Sequence, residues 1–181
     1  VNPIPAEEDR AASDRFAGRP VALLALLALA AAAFAAISLR PLTHSEVRYV
    51  EAGAEMVASG DWIVPHLSFV PYFEKPILTY WVEAAAQLLF GLSPIAVRLP
   101  SILAAVGMVA ATYAIGRSMR GAAFGLGAAS LLTASAMFLV MGSVVTTDPF
   151  FSVFLALAWC AFWRHDRAPQ SPWIWAFWAA L

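Results

Sequence analysis

The run PVALLALLALAAAAFAAISL, residues 20–39, carries a single polar side chain, Ser38, in twenty positions. About 20 predominantly apolar residues wound as a helix cross the hydrocarbon core of a bilayer, so this run reads as a membrane span. Its length and the lack of a small-residue cleavage site argue against a secretory signal, although an uncleaved signal anchor fits. Working outward, further apolar runs cover residues 95–116, 122–141 and 149–163, and a last one opens at residue 172 and reaches only to Leu181. Ten residues do not span, so the chain is expected to be a fragment of a longer protein. Hydrophobic residues make up 61% of the 181 and charged residues 13%, with a mean hydropathy of +0.73. The expected fold is an all-α, polytopic transmembrane helical bundle.

The polar segments between the runs are where function is sought, because charge kept near hydrocarbon is expensive unless paired or wetted. The net charge of −1 shows no basic balance and excludes nucleic acid as an expected partner. Cys160 is the sole cysteine, so no intrachain disulfide is available. Residues 1–19 mix Glu7, Glu8, Asp9, Asp14 and three arginines with small residues and proline, and read as a solvated, disordered cytoplasmic tail.

Basic residues collect in short cytoplasmic loops. If the segment Pro76 to Phe90 does not cross, the N-terminal arginines join Arg117, Arg120, Arg164 and Arg167 on one side, and only Arg40, Arg48, Lys75 and Arg98 fall on the other. If it crosses, the bias largely disappears. The segment is therefore expected to be interfacial, and residues 40–94 form one long outward-facing loop. In that loop Val47, Val50, Ala54 and Val57 recur at helical spacing, with Arg48, Glu51 and Glu55 on another face, which predicts an amphipathic helix on the membrane surface. Ser59-Gly60-Asp61 supplies its stop. Gly121 and Gly125 form a GxxxG pair suited to close helix packing.

Three polar positions stand out: Glu46, the Glu74-Lys75 pair, and Asp148. Thr43-His44-Ser45-Glu46 matches a capping box, so capping explains Glu46 as well as chemistry does. Lys75 precedes Pro76 at the head of a helix, where unpaired backbone N–H groups and partial positive charge favour phosphate. Its structural alternative is a lysine reaching out of an interfacial helix with Glu74 as partner. Asp148 in Thr146-Thr147-Asp148-Pro149 is a good N-cap with proline at the first helical position, and equally a candidate general base. His44, Glu46 and Asp148 could together hold a divalent metal, the one cofactor considered, without diagnostic ligand spacing. No phosphate-binding loop, dinucleotide fingerprint, HExxH or CxxC occurs.

Read together, Glu46-Val47-Arg48-Tyr49, Ala58-Ser59-Gly60-Asp61-Trp62, Pro65-His66-Leu67, Tyr72-Phe73-Glu74-Lys75-Pro76, Arg98-Leu99-Pro100-Ser101 and Thr146-Thr147-Asp148 resemble, in order, the N-terminal part of the polyprenyl-phosphate-sugar-dependent glycosyltransferases of GT-C fold. These include the lipid A aminoarabinose transferases and the dolichyl-phosphate-mannose protein mannosyltransferases. The resemblance implies inverting transfer of a sugar from a polyprenyl-phosphate donor to a lipid, glycan or protein hydroxyl on the outer face of the membrane, with no nucleotide bound. It implies Glu46 and Asp148 as catalytic groups and Lys75 as holder of the lipid phosphate, with Glu74, Arg48 and Tyr72 beside it in substrate binding. Family members commonly carry Asp-Glu where this chain has Ser45-Glu46, and serine cannot act as a carboxylate base. Low cysteine and abundant alanine lean toward a bacterial inner membrane with the site facing the periplasm. The rival readings are a non-catalytic protein, such as a transporter portion or a lipid-phosphate-binding subunit, and a degenerate copy that still binds lipid phosphate through Lys75 but has lost its base. Transporters place charges near the midplane, whereas these spans have uncharged interiors.

Overall fold

The computed structural model describes residues 20–167 and 172–181; the expected tail over residues 1–19 lies outside them. Eight helices and one hairpin follow in order among these residues: α1 (Pro20–Ile37), α2 (His44–Ser59), β1 (His66–Leu67), β2 (Val70–Pro71), α3 (Ile77–Phe90), α4 (Pro94–Arg120), α5 (Ala122–Ala134), α6 (Ala136–Gly142), α7 (Asp148–Arg167) and α8 (Trp173–Ala180). The 27 residues of α4 make it the one described helix long and apolar enough by itself to cross a membrane. Helices α5 and α6 pass that test only as a pair, broken at Ser135 with a 72° bend. The expected continuous span over residues 122–141 is thus two helices: Ser135 is extended and its N–H turns back to Leu132 O at 3.1 Å. Helix α1 is apolar but falls short of that length criterion.

The described residues divide into two compact units, one of residues 31–105 and 139–151, the other of residues 20–30, 106–138, 152–167 and 172–181. The first holds every candidate site residue. Its helix α2 starts at Thr43, whose backbone is extended (φ −80°, ψ 161°), and stops at Gly60, which takes a left-handed φ of 72° and returns its N–H to Met56 O at 3.0 Å. Gly60 supplies the C-terminal stop without steric penalty.

The face of α2 packed inside the unit is Tyr49, Ala52, Gly53 and Met56, with Val50 and Val57 partly buried beside it, while Val47 is 41% exposed. The reason is close helix packing. A Cβ at Gly53 would lie 2.8 Å from Gln87 Nε2 and 3.1 Å from the Ala84 backbone nitrogen of α3, so the small residues mark where the two helices meet. Tyr49, Ala52, Met56, Tyr80, Ala84, Val97 and Val145 form the core of this unit. Gly53→Ala is therefore expected to destabilise. Alanine gains up to about 1 kcal/mol of helix propensity, but overpacking costs about 1–3 kcal/mol, and the Gln87 Nε2 to Val50 O bond of 2.9 Å is disturbed as well. A lower thermal midpoint in detergent checks this; an unchanged or raised midpoint contradicts it.

The hairpin was not expected from the sequence. His66 pairs with Pro71 and Leu67 with Val70, and the turn residues Ser68 and Phe69 both have positive φ, 53° and 64°. Such turns usually use Asn-Gly, a signal absent here. Instead two α2 carboxylates hold the turn: Glu51 accepts from the Ser68 hydroxyl at 3.2 Å, and Glu55 accepts from the Phe69 N–H at 3.1 Å. The charged face of α2 thus serves the hairpin.

In the second unit α4 and α5 cross closely, with a Cβ at Gly125 placed 2.6 Å from Tyr113 O and one at Gly116 placed 2.8 Å from Gly125 Cα. The expected GxxxG pair is split in role: Gly125 lies at the crossing, whereas Gly121 (φ 91°) makes the turn before α5.

Candidate functional site

Two polar clusters are built in the first unit. Arg98, near the start of α4, is fully buried. Its Nε donates to Glu46 Oε1 at 2.7 Å and its Nη2 to Glu46 Oε2 at 2.8 Å. Its remaining N–H groups reach Ser38 O (2.6 Å), Arg40 O (2.7 Å) and Pro41 O (3.0 Å). All five guanidinium donors are used.

Glu46, also fully buried, accepts further bonds from Arg40 Nη1 at 2.9 Å, the Thr43 N–H at 2.8 Å, the Thr43 hydroxyl at 2.8 Å and the Val145 N–H at 3.2 Å. The capping box read from the sequence is formed, but it is a minor part of this network. Burial by itself would raise the Glu46 carboxyl; the bonds from Arg98, Thr43 and Arg40 outweigh it and hold the group well below the usual carboxylate range. No lone pair is left facing solvent to receive a proton. The site-residue expectation for Glu46 as a base therefore meets a geometry suited to anchoring: one carboxylate ties the end of α1, the head of α2, the start of α4 and the Val145 strand of chain together.

The second cluster is open to solvent. The Tyr72 hydroxyl donates to Glu74 Oε2. Arg48 Nη1 lies 3.4 Å from the same oxygen and 3.5 Å from the Tyr72 hydroxyl, and Lys75 Nζ lies 3.6 Å from Glu74 Oε1. The Tyr72 hydrogen bond, with the charges of Arg48 and Lys75, lowers the Glu74 carboxyl, and Glu74 in turn raises Tyr72. Two cations share one carboxylate, which leaves a net positive charge beside the N-terminus of α3. Pro76 is the N-cap of that helix and not its first residue, and it has no N–H. This arrangement can hold a dianion.

Asp148 is exposed and opens α7, with its N–H donating to Thr146 Oγ1 at 3.2 Å. The Phe151 N–H bonds Thr147 O at 3.0 Å, which places the cap one residue earlier than expected. Its carboxylate makes no hydrogen bond or ion pair among the described residues, and its position is set through Val145, three residues back, on Glu46. The structure thus joins Arg48, Tyr72, Glu74 and Lys75, keeps Glu46 apart with Arg98, and leaves Asp148 unpaired. Among the described residues no three His, Cys, Asp or Glu side chains are grouped to hold a metal, so His44, Glu46 and Asp148 do not form the cation site considered from sequence. His44 and Ser45 are exposed at the head of α2.

Sequence reading missed two buried groups. Arg98 appeared only as part of a motif; the signal was a lone arginine at the head of an apolar run. Glu83, on the α3 face toward α2, is fully buried and neither oxygen has a hydrogen-bond partner among the described residues. Burial, reinforced by the negative charge of Glu46, pushes its carboxyl up to about 8. With the folded value above the unfolded one of about 4.3, the folded state binds the extra proton, so stability falls as pH rises from about 4.3 toward 8. Glu83→Gln is expected to raise the thermal midpoint at pH 8 and to flatten its fall between pH 5 and 8; a parallel pH profile in both proteins would show that Glu83 is not the titrating group.

The profile of the dolichyl-phosphate-mannose-protein mannosyltransferases matches residues 22–181. The chain belongs to this family. Family relatives include the undecaprenyl phosphate-alpha-4-amino-4-deoxy-L-arabinose arabinosyl transferase of Edwardsiella ictaluri, 38% identical over 127 residues, which are 70% of this chain and 23% of that protein. The corresponding transferase 2 of Proteus mirabilis is 40% identical over 124 residues, 65% of this chain and 22% of that one. Among solved structures, ArnT from Cupriavidus metallidurans bound to undecaprenyl phosphate superposes with a TM-score of 0.72 at 26% identity, covering 90% of this chain and 31% of ArnT. Its apo state gives 0.73 at 28% identity, covering 87% of this chain and 30% of ArnT. The fold is the GT-C membrane fold, and the chain spans roughly a quarter to a third of the length of these relatives.

Proposed function

We propose that this chain is the N-terminal part of a membrane glycosyltransferase that moves a sugar from a polyprenyl-phosphate carrier to a hydroxyl acceptor at the outer face of a bacterial inner membrane. The observation that carries the reading is the open cationic cluster of Lys75 and Arg48 around Glu74 and Tyr72, beside a helix N-terminus. The names of the relatives favour undecaprenyl phosphate as the carrier. In the reaction the bond between the anomeric carbon and the phosphate oxygen breaks, the acceptor oxygen bonds to that carbon, and its proton passes to a carboxylate. The departing phosphate gains negative charge, which Lys75 and Arg48 stabilise. Asp148 is the proton acceptor, because it is the one candidate carboxylate whose oxygens are uncommitted. Glu46 acts through the chain it anchors and is a positioning residue.

Native mass spectrometry of the detergent-purified full-length protein with undecaprenyl phosphate tests the reading. Lys75→Ala is expected to weaken retention about 10-fold or more, the scale of one hydrogen bond to a charged group. Equal retention by both proteins would reduce Lys75 to an interfacial anchor.

A second reading has one observation in its favour: neither position at the head of α2 offers a free carboxylate, since Ser45 has none and Glu46 is saturated. On that reading the chain binds lipid phosphate and transfers sugar weakly. Ser45→Asp in the full-length protein separates the two: a large gain in transfer supports the degenerate copy, and no gain supports Asp148 as sufficient.

A further inference from the structure

The second unit contains a groove of about 650 Å³ between α4, α7 and α8, whose walls include Ala110, Ala114, Leu157, Ala161, Ala176 and Ala179. It is apolar along its length and basic at one end, where Arg164 lines it together with Trp173. The guanidinium of Arg164 stands 4.5 Å from the Trp173 ring centroid and is itself exposed.

Helices α4 and α7 run side by side in the same direction. Gly107 meets Val153, the Cys160 thiol reaches Ala111 O at 3.7 Å, and Arg167 Nη1 donates to Ser118 O at 2.5 Å. Their C-terminal turns therefore lie together, bringing Arg117 and Arg120 to the same end as Arg164 and Arg167. Those turns carry four guanidinium groups and one carboxylate, Asp166.

We infer that this groove is a binding site for an anionic glycerophospholipid, its phosphate at Arg164 and one acyl chain laid along the alanine floor. Charge complementarity fixes the headgroup class, since a zwitterionic lipid would bring its own cation to a basic rim. Length fixes the tail. From Arg164 back to Phe154 the groove follows ten residues of helix, about 15 Å at 1.5 Å per residue, which is half of the ~30 Å hydrocarbon core and so the depth of one leaflet. A C55 polyprenyl chain is far longer than that wall. Alanine and glycine leave room where larger side chains would fill the groove, and the Trp173 ring beside the guanidinium suits the headgroup level, where aromatic residues collect. The inference does not depend on the sugar-transfer reading, as all its residues belong to the unit without the candidate site.

The test uses the full-length protein in detergent with equal amounts of dioleoyl phosphatidylglycerol and dioleoyl phosphatidylcholine. Native mass spectrometry is expected to show one phosphatidylglycerol retained about tenfold over phosphatidylcholine, and Arg164→Gln to abolish that preference. Phosphatidylglycerol bearing a diazirine at mid-chain is expected to label peptides holding Ala110 to Ala114 and Leu157 to Ala161, with labelling reduced in Arg164→Gln and in the groove-filling Ala114→Phe. Equal retention of the two lipids overturns the assignment. So does labelling displaced by undecaprenyl phosphate, which would give the groove to the sugar carrier. Absence of label together with protein cross-links from Cys160, to another segment of the protein or to a second copy, would show the groove covered by polypeptide and likewise overturn it.

Discussion

Arg98→Met is expected to be the most destabilising single substitution in the site unit. Removing the guanidinium leaves Glu46 buried with two charge-assisted bonds missing, and leaves the carbonyls of Ser38, Arg40 and Pro41 without that donor. Breaking one side of a buried ion pair costs about 3–5 kcal/mol, several times what an exposed pair contributes. Glu46→Gln should fall in the same range, because Arg98 then keeps a buried charge without its counter-ion. The double variant should lose less than the sum of the singles, as groups in one network are not additive. Thermal midpoints of the four proteins in detergent check this; additive losses would mean that the pair does not act as a unit. The same variants carry a pH signature. The Glu46 carboxyl is depressed in the folded state, so its contribution is complete above the unfolded value of about 4.3 and is lost as pH falls below it. The wild type should therefore weaken between about pH 4 and pH 2 by more than Arg98→Met does.

Asp148→Asn is expected to lower the turnover of the full-length protein by about 10²–10⁴-fold, the usual contribution of a positioned general base. KM for the carrier lipid should change little, because the phosphate is held by Lys75 and Arg48 on the proposed mechanism. Stability should change little as well, since the Asp148 carboxylate is exposed and unpaired among the described residues. This pattern is opposite to that of Arg98→Met, in which turnover falls together with the midpoint. A variant that keeps full turnover would remove Asp148 from the reaction, and Ser45→Asp is the substitution that would then place a free carboxylate at the head of α2 for comparison. Ser45 and Thr43 hydroxyl oxygens are 3.2 Å apart at an exposed helix head, so an aspartate there has room.

The α2 helix shows how far periodicity reaches. Its ends were legible, because Thr43 and Gly60 act through local backbone geometry. Its buried face was not, because Gly53 and Ala52 score as weak hydrophobes and their value lies in the close approach of α3. The hairpin turn at Ser68 and Phe69 lacks the Asn-Gly pair usual for such turns and is held by carboxylates from another element. Glu46 is the clearest case in the site. Its capping partner is three residues away, and its ion-pair partner is 52 residues away.

By itself the sequence determined that this is a helical membrane protein and where most of its helices begin and end. These follow from apolar run length, caps and composition, all local quantities. Only the tertiary structure decided which carboxylate is committed and which is uncommitted. Protonation and reactivity depend on burial and on hydrogen-bond partners brought from distant parts of the chain, and no spacing along the sequence encodes that Arg98 would close on Glu46 while Asp148 stays open.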